Sequence, residues 1–292
     1  GSVLSVLAKD GNPAFLEIQN RALGVLYGSS ITETSGRVAL LSILDSRVIG
    51  PGSTSAEGRQ PGDVPPLLEL YALDNNLQPT GTAPRVDVTS AVVVRSSNIS
   101  GLDGALLEAS SPILAMAYGN MTAKSHFADF SGTNGKQVFQ ALVPNDALVR
   151  LNHSNLTVNG NLFQFNNASA SVTGRLFSLD NGSSLTINGV VLSLLGRSTF
   201  NLTADSFGSF GKTGTNTLTV NNNLCAGGGC RTINGIKVAG GGTVNLPSDF
   251  SPFSSADGSA RNADGTERLK LGQNSAFLSV APNSTLNVKV KR

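Results

Sequence analysis

The sequence predicts an all-β protein, a parallel β-helix (β-solenoid) with looped insertions, and three observations support this prediction. The range 147–204 repeats one pattern as LVRLNHSNLTVNGN, LFQFNNASASVTGR, LFSLDNGSSLTINGV and VLSLLGRSTFNLTA. The copies begin 14, 14 and 15 residues apart, at Leu148, Leu162, Leu176 and Val191. Each copy holds two short segments in which apolar and polar residues alternate. One such unit cannot bury its own apolar face, so the copies must pack against one another as a solenoid.

The alternating segments are interpreted as strands. In the first copy, Val149 and Leu151 flank Arg150, and Leu156 and Val158 flank Thr157. A period of two is typical of strands, and these segments are too short and too rich in Ser, Thr and Asn for helices. The same reasoning predicts a buried core from the inward positions of three copies: Val149, Leu151, Leu156, Val158, Phe163, Phe165, Phe177, Leu179, Leu185 and Ile187.

Degenerate copies of the pattern extend from Val3 to Leu286, which predicts a single elongated domain over residues 1–292. We expect right-handed coils, with the most regular ones in 147–204. Whether each block is a whole thin coil or part of a larger, three-faced coil is left open by the pattern. Turn-rich or polar composition predicts loop insertions at about 50–66, 207–242 and 247–267. Long loops on a regular scaffold commonly carry function.

Stacking consecutive copies predicts columns of equivalent residues. The expected columns are Asn152, Asn166 and Asp180; Gly160, Gly174 and Gly189; and Thr157, Ser171, Thr186 and Asn201. The leading residues Leu148, Leu162 and Leu176 form a further apolar column. This column either faces outward as a surface for lateral contacts or is turned into the core by a corner or bulge.

Composition narrows the classes of function. The net charge of +2 and the scattered basic residues do not predict binding to nucleic acid. No apolar run is long enough for a membrane span, and the start of the chain is interpreted as a mature form without its signal. The two histidines, His126 and His153, have no Cys or carboxylate at metal-ligand spacing, so no metal, cofactor or catalytic residue is predicted.

Cys225 and Cys230 are the only cysteines and stand in the segment LCAGGGCR. The three glycines between them let a small loop close, which favours a disulfide over two free thiols. A disulfide in a chain otherwise free of cysteine would place the protein in an oxidising compartment, outside the cell or on its surface.

The segments NLTVNG, SLTINGV and STFNLT resemble the strand repeats of bacterial secreted adhesins. These are the filamentous-haemagglutinin-like and autotransporter-passenger proteins. The resemblance implies an extracellular β-solenoid with a role in adhesion or surface structure.

The expected function is therefore structural and without catalysis: a self-assembling fibre subunit or a surface adhesin. Its expected partners are surface glycans and further copies of itself, stacked head to tail with additional lateral contacts. The residues predicted at the assembly edges are Val3, Leu4, Val6, Leu286, Val288 and Val290.

Two alternatives remain open. One is a polysaccharide-acting enzyme, a lyase or glycoside hydrolase on a β-helix, and a groove with two or more clustered acids would favour it. Sugar-stacking platforms are expected to be poor, because the chain has no Trp. The other is an ice- or crystal-surface-binding protein that uses the Thr157 column, although such a surface should keep the same residue in every coil.

Overall fold

The computed structural model describes residues 2–10, 12–18, 22–34, 38–50, 65–72, 79, 81, 83–97, 105–144, 146–221, 232–271 and 275–288. These residues form a parallel β-solenoid, which confirms the predicted fold class. Strands belong to one 14-stranded sheet (sheet 1) and two seven-stranded sheets (sheets 2 and 3), and the pairings within each are parallel. The described part of the chain has no helix that could cross a membrane.

The chain winds through the three sheets in successive coils, and most coils pass through sheet 1 twice. Coil one has β1 (Ser2–Leu7), β2 (Phe15–Glu17), β3 (Gly24–Tyr27) and β4 (Ser30–Thr32). Coil two has β5 (Ala39–Leu44), β6 (Arg47–Gly50), β7 (Leu68–Tyr71) and β8 (Arg85–Val88). Coil three has β9 (Ser90–Arg95), β10 (Leu106–Ala109), β11 (Leu114–Ala117) and β12 (Asn120–Ala123). Coil four has β13 (Ala128–Ala141), β14 (Ala147–Asn152) and β15 (Asn155–Val158), and coil five has β16 (Phe163–Val172), β17 (Arg175–Asp180) and β18 (Ser184–Ile187). The remaining strands are β19 (Leu192–Leu195), β20 (Thr199–Leu202), β21 (Ser206–Phe210) and β22 (Thr217–Val220) in coil six; β23 (Thr232–Val238), β24 (Thr243–Leu246), β25 (Ser251–Ser255) and β26 (Leu269–Leu271) in coil seven; and β27 (Ser275–Val280) and β28 (Thr285–Val288) in coil eight.

The sequence repeat is half a coil. Strand β14 pairs with β17, and Val149 lies opposite Phe177, so the first copy stacks on the third and not on the second. The larger, three-faced coil is therefore the correct one of the two alternatives. Consecutive copies occupy different faces of the same coil.

The expected columns are wrong for the same reason. Asn152 does lie opposite Asp180, but Asn166 lies opposite Leu195 in sheet 1. Thr157 pairs with Thr186 in sheet 3, whereas Ser171 pairs with Asn201 in sheet 1. The three glycines do not form one column either. A Cβ on Gly189 would meet Gly160, whereas a Cβ on Gly174 would meet the backbone of Val143 and Asp146.

The predicted inward residues are all buried. The apolar column of Leu148, Leu162 and Leu176 is fully buried as well, so the corner alternative is confirmed and a lateral contact surface at these residues is excluded. In β14 the first three residues are all buried, because the chain turns a corner into the sheet there and alternation begins only afterwards. Phenylalanine rings stack along the core, and those of Phe130 and Phe165 are 4.8 Å apart and 6° from parallel.

The predicted insertions are only partly loops. Residues 51–64 lie outside the described residues, as do 222–231. The range 207–242, expected to be a loop, contributes to β21, β22 and β23 instead. Its glycines were misleading, because Gly208 lies within a strand where a Cβ would overlap the Phe177 ring. The range 247–267 contains β25 and a connection fixed by the buried Arg268, whose guanidinium donates to both oxygens of Asp257 at 2.6 and 2.8 Å.

Corners between strands use left-handed backbone. The described non-glycine residues with positive φ lie at two corners only: Asp10, Asp45, Asn167 and Asn283 within sheet 1, and Tyr118, His153 and Asn181 between sheets 2 and 3. Asn, Asp and His adopt this conformation more readily than other non-glycine residues, but large side chains rarely do. Tyr118 is therefore the exception, and it lies beside His153.

Candidate functional site

A cleft of about 440 Å³ opens on the outer face of sheet 2. Its floor is Ala115 and Ala117, the outward residues of β11. In register with them, Glu69 and Tyr71 project from β7 on one side, and Arg150 and Asn152 project from β14 on the other. The small alanine side chains thus leave a trough between two rows of larger ones. The strands that form its walls are about 10 Å apart, twice the strand spacing.

A row of aromatic rings follows the edge of this face. Tyr27 on β3 and Tyr71 on β7 lie opposite each other, with ring centroids 5.1 Å apart. Tyr118 directly follows Ala117, and His153 directly follows Asn152, so the next two coils each add a ring at the corner beside the cleft lining. Four consecutive coils therefore place a ring on this edge, and the row includes all three tyrosines of the chain.

The rings of Tyr118 and His153 stack at 4.4 Å and 9°. Their φ angles are 59° and 48°, and such left-handed conformations cost of order 1–3 kcal/mol each for residues of this kind. The His153 ring is oriented by Asn152, whose Oδ1 is 2.9 Å from Nδ1 and also accepts from the Asn181 amide at 2.9 Å. Because a carbonyl oxygen only accepts, His153 carries its proton on Nδ1. Strained backbone is retained where the surrounding structure enforces it, and such positions cluster at functional sites.

The cleft holds two carboxylates and one guanidinium. Glu69 and Asp180 are half-buried and form no side-chain hydrogen bond or ion pair with another described residue. Burial raises the pKa of both carboxyl groups, and the positive charge of Arg150 only partly opposes this. Arg150 itself is paired with Asp146 at 3.3 Å. The cleft therefore contains two acids whose charge the described residues compensate poorly.

Asp180 is accommodated by a glycine in the next coil. A Cβ on Gly211 would overlap the Asp180 carboxylate, so any larger residue there would displace the acid. Asn181 and Thr213 complete this end of the cleft, and the Thr213 hydroxyl donates to the Asn181 Oδ1. Glycine at 211 is thus a requirement for the observed position of Asp180.

A second ordered surface is the outer face of sheet 3. Strand pairing places Thr122, Thr157, Thr186 and Thr219 in one register column over four consecutive coils. Two of these, Thr157 and Thr186, were predicted to share a column, but the other two were not. The true column keeps the same residue in four coils, which the expected column did not do.

The predicted assembly edges lie where the described strands end. Strand β1, with Val3, Leu4 and Val6, is one end of sheet 1, and β28, with Leu286 and Val288, is an end at the opposite side. Val3 is 59% and Val288 is 50% exposed, whereas Val6 is buried. Val290 and the cysteines Cys225 and Cys230 lie outside the described residues, so the disulfide stays a prediction.

The histidines have different surroundings. His126 is partly buried, which lowers its pKa, and its Nδ1 accepts a hydrogen bond from the backbone N–H of Asn161 at 2.8 Å. It therefore supports a corner and does not face the cleft of sheet 2. In the described parts of the chain, no group of three or more His, Cys, Asp or Glu side chains is arranged to hold a metal ion.

Sequence reasoning missed the cleft and its rings. Tyr27, Tyr71, Tyr118 and His153 are separated by unequal intervals, because the loops between strands differ from coil to coil. No periodicity marks them, and the absence of Trp suggested that stacking platforms are poor. The sequence does contain one indication of the row: each of the four rings either ends an alternating segment or directly follows one.

Comparisons with protein-family models, curated proteins and solved structures give no match for this chain. The class that the structure defines is a parallel β-solenoid with an outward-facing cleft on sheet 2.

Proposed function

We propose that the protein is a non-catalytic extracellular scaffold of the adhesin type, which binds glycans along the outer face of sheet 2. The observation that carries this proposal is the row of four rings beside the cleft. Aromatic rings present flat apolar faces with a polar end, which suits the faces and hydroxyl groups of sugars. The left-handed backbone at Tyr118 supports the proposal, because a large ring is retained at a corner where Asn would fit the backbone with less strain.

A binding assay with purified protein tests this function. Soluble glucose, mannose and N-acetylglucosamine oligomers serve as probes, and the variants are Tyr71→Ala and Tyr118→Asn. Asn favours the left-handed conformation, so Tyr118→Asn removes the ring without loss of stability. We expect each variant to lower affinity for the bound oligomer about tenfold, or about 1.4 kcal/mol.

Phe15→Ala is the matched control, because Phe15 is an exposed ring on sheet 1, away from the cleft. Its affinity should equal that of the unmodified protein. Equal binding by all three variants, or no binding of any oligomer by the unmodified protein, would contradict the proposed function.

The two acids of the cleft bear on the polysaccharide-acting enzyme. Glu69 on β7 and Asp180 on β17 are separated by three strand spacings and by two residues along the strand direction, or about 16 Å between Cα atoms. Hydrolysing carboxyl pairs are about 5–9.5 Å apart. Binding is therefore the better-supported function, and hydrolysis is tested by release of reducing ends from the bound oligomer. Turnover that Glu69→Gln abolishes would establish the enzyme instead.

The threonine column supports a second candidate function, attachment to ice or to a crystal surface. Four in-register threonines form a regular array, which a flat lattice requires. Thr is also common at outward strand positions for reasons of packing alone. Thermal hysteresis of the purified protein, lost in Thr157→Lys, would establish this candidate, and absence of hysteresis would exclude ice.

A further inference from the structure

The cleft on sheet 2 has a charge arrangement that selects among glycans. Glu69 and Asp180 both line it, and neither carboxylate has a hydrogen-bonding or ion-pair partner among the described residues. Among the described residues that line the cleft, Arg150 is the one cation, and Asp146 already pairs with it at 3.3 Å. The described lining of the cleft therefore carries more negative than positive charge, and a ligand with a positive charge would balance it.

The geometry points to amine-bearing glycans, such as oligomers of glucosamine, as the preferred ligands of the sheet 2 cleft. This inference rests on the proposed glycan-binding function and adds the chemical class of the sugar. An ammonium group gains from the carboxylates of Glu69 and Asp180 and from the face of the Tyr71 ring. A uronate sugar would meet the carboxylates of Glu69 and Asp180, whose charge Arg150 compensates only in part, and would be repelled.

The placement of the groups fits a chain of sugars and not a single amine. Glu69 and Tyr71 stand on β7, and Asp180 stands on β17, beyond the wall that Arg150 and Asn152 form on β14. A ligand that reaches both acids must cross β11 and β14, with Tyr71 at one end of its path. A short oligomer with amines on successive sugars meets this requirement.

The raised pKa values of the two acids agree with a preference for an amine-bearing ligand. Partial burial raises the pKa of Glu69 and Asp180, because the charged forms are poorly solvated. A bound ammonium group would stabilise the charged forms and lower both pKa values again. Binding of the amine-bearing ligand should accordingly weaken with acidification at a higher pH than an ordinary carboxyl group would give.

Equilibrium titration of the full chain tests the inference with three hexamers: glucosamine, N-acetylglucosamine and galacturonic acid. The measurements are made at about pH 6.5, about two units above the ordinary carboxyl pKa, which allows for the raised pKa values of Glu69 and Asp180. We expect the glucosamine hexamer to bind about tenfold more tightly than its acetylated form, and the galacturonate hexamer to bind most weakly. Glu69→Gln and Asp180→Asn should remove the preference for the amine and leave the affinity for the acetylated hexamer unchanged.

Glu108→Gln is the matched control, because it removes the same charge from sheet 1, where Glu108 pairs with Arg47. The Glu108→Gln variant should keep the preference for the amine. This result would show that the preference depends on contacts in the cleft and not on the net charge of the protein. Equal affinity for the amine and the acetylated hexamers, or tighter binding of galacturonate, overturns the inference but leaves glycan binding in place. Absence of binding by all three hexamers and by the neutral oligomers overturns the proposed function as well.

Discussion

The ring of Phe177 occupies the space that a side chain on Gly208 would fill, and a Cβ there would overlap three of its ring carbons. The two residues lie opposite each other in β17 and β21 and both point into the core. Phe177 also approaches Phe253, with ring centroids 6.0 Å apart, so the ring spans the position that the glycine leaves empty. A large and a small residue in successive coils thus share one layer of core volume.

Gly208→Ala should therefore destabilise the protein by about 1–3 kcal/mol through overpacking. Phe177→Ala should cost about 3 kcal/mol through the cavity that it leaves. The double variant should lose less stability than the sum of the two single losses, because the new methyl group enters the new cavity. Urea unfolding of the four proteins measures these differences.

Gly81→Ala is the control for the glycine substitution, since a Cβ at Gly81 would meet nothing within 4 Å. It should leave the free energy of unfolding unchanged. Strict additivity of Phe177→Ala and Gly208→Ala would show that the two residues do not share space.

An ion pair between the buried Glu33 and the exposed Lys124 joins coil one to the following coils. Lys124 Nζ is 3.3 Å from Glu33 Oε1, and Glu33 Oε2 accepts from Thr89 at 2.8 Å and from the Val38 N–H at 2.7 Å. Burial alone would raise the pKa of Glu33, but the bonds from Thr89, Val38 and Lys124 outweigh it and lower the pKa to about 2. The ionised carboxylate is thus favoured in the folded state.

Because the pKa of Glu33 is lower in the folded than in the unfolded state, its contribution to stability is complete above the ordinary glutamate pKa of 4.5. It should be lost as the pH falls from there towards about 2. Glu33→Gln should remove this part of the pH dependence, as measured by urea midpoints across that interval. Glu267→Gln is the control, because Glu267 and Arg261 form an exposed pair, and it should behave like the unmodified protein. An acid profile unchanged in Glu33→Gln would contradict the assignment.

The cysteines give a prediction that is independent of the described residues. We expect Cys225 and Cys230 to be joined by a disulfide, because only four residues separate them and three of these are glycines, which lets the loop close. The intact mass after alkylation without reductant should show no label, and reduction should allow two. Two labels without reduction would contradict the disulfide and the extracellular location that it supports.

Head-to-tail assembly predicts filaments, because an unpaired strand edge accepts another strand. A lysine at an edge opposes such pairing, so Val3→Lys and Val288→Lys should prevent any filaments seen by electron microscopy. Leu142→Lys is the control, since Leu142 is exposed at a corner between β13 and β14. Single particles from the unmodified protein, or filaments that persist in both edge variants, would exclude this mode of assembly.

The strand pattern could be predicted from sequence because alternation depends on neighbours two residues apart. Val149, Leu151 and Phe177 were placed in the core on that basis, and all are buried. Leu148 was ambiguous, because a corner breaks the alternation and a pattern cannot show where the chain turns. Gly208 was assigned to a loop, because nothing local shows that a ring from the preceding coil fills its place.

The sequence by itself determined the fold class, the strands of the regular coils and the inward residues, since these depend on local alternation and on repeats within about 15 residues. Only the tertiary structure decided the coil size, and with it which residues share a column. Glu69 and Arg150 face one cleft because β7, β11 and β14 stack, although 81 positions of chain separate them. Loops of unequal length lie between such residues, so their proximity depends on strand pairing and leaves no period in the sequence.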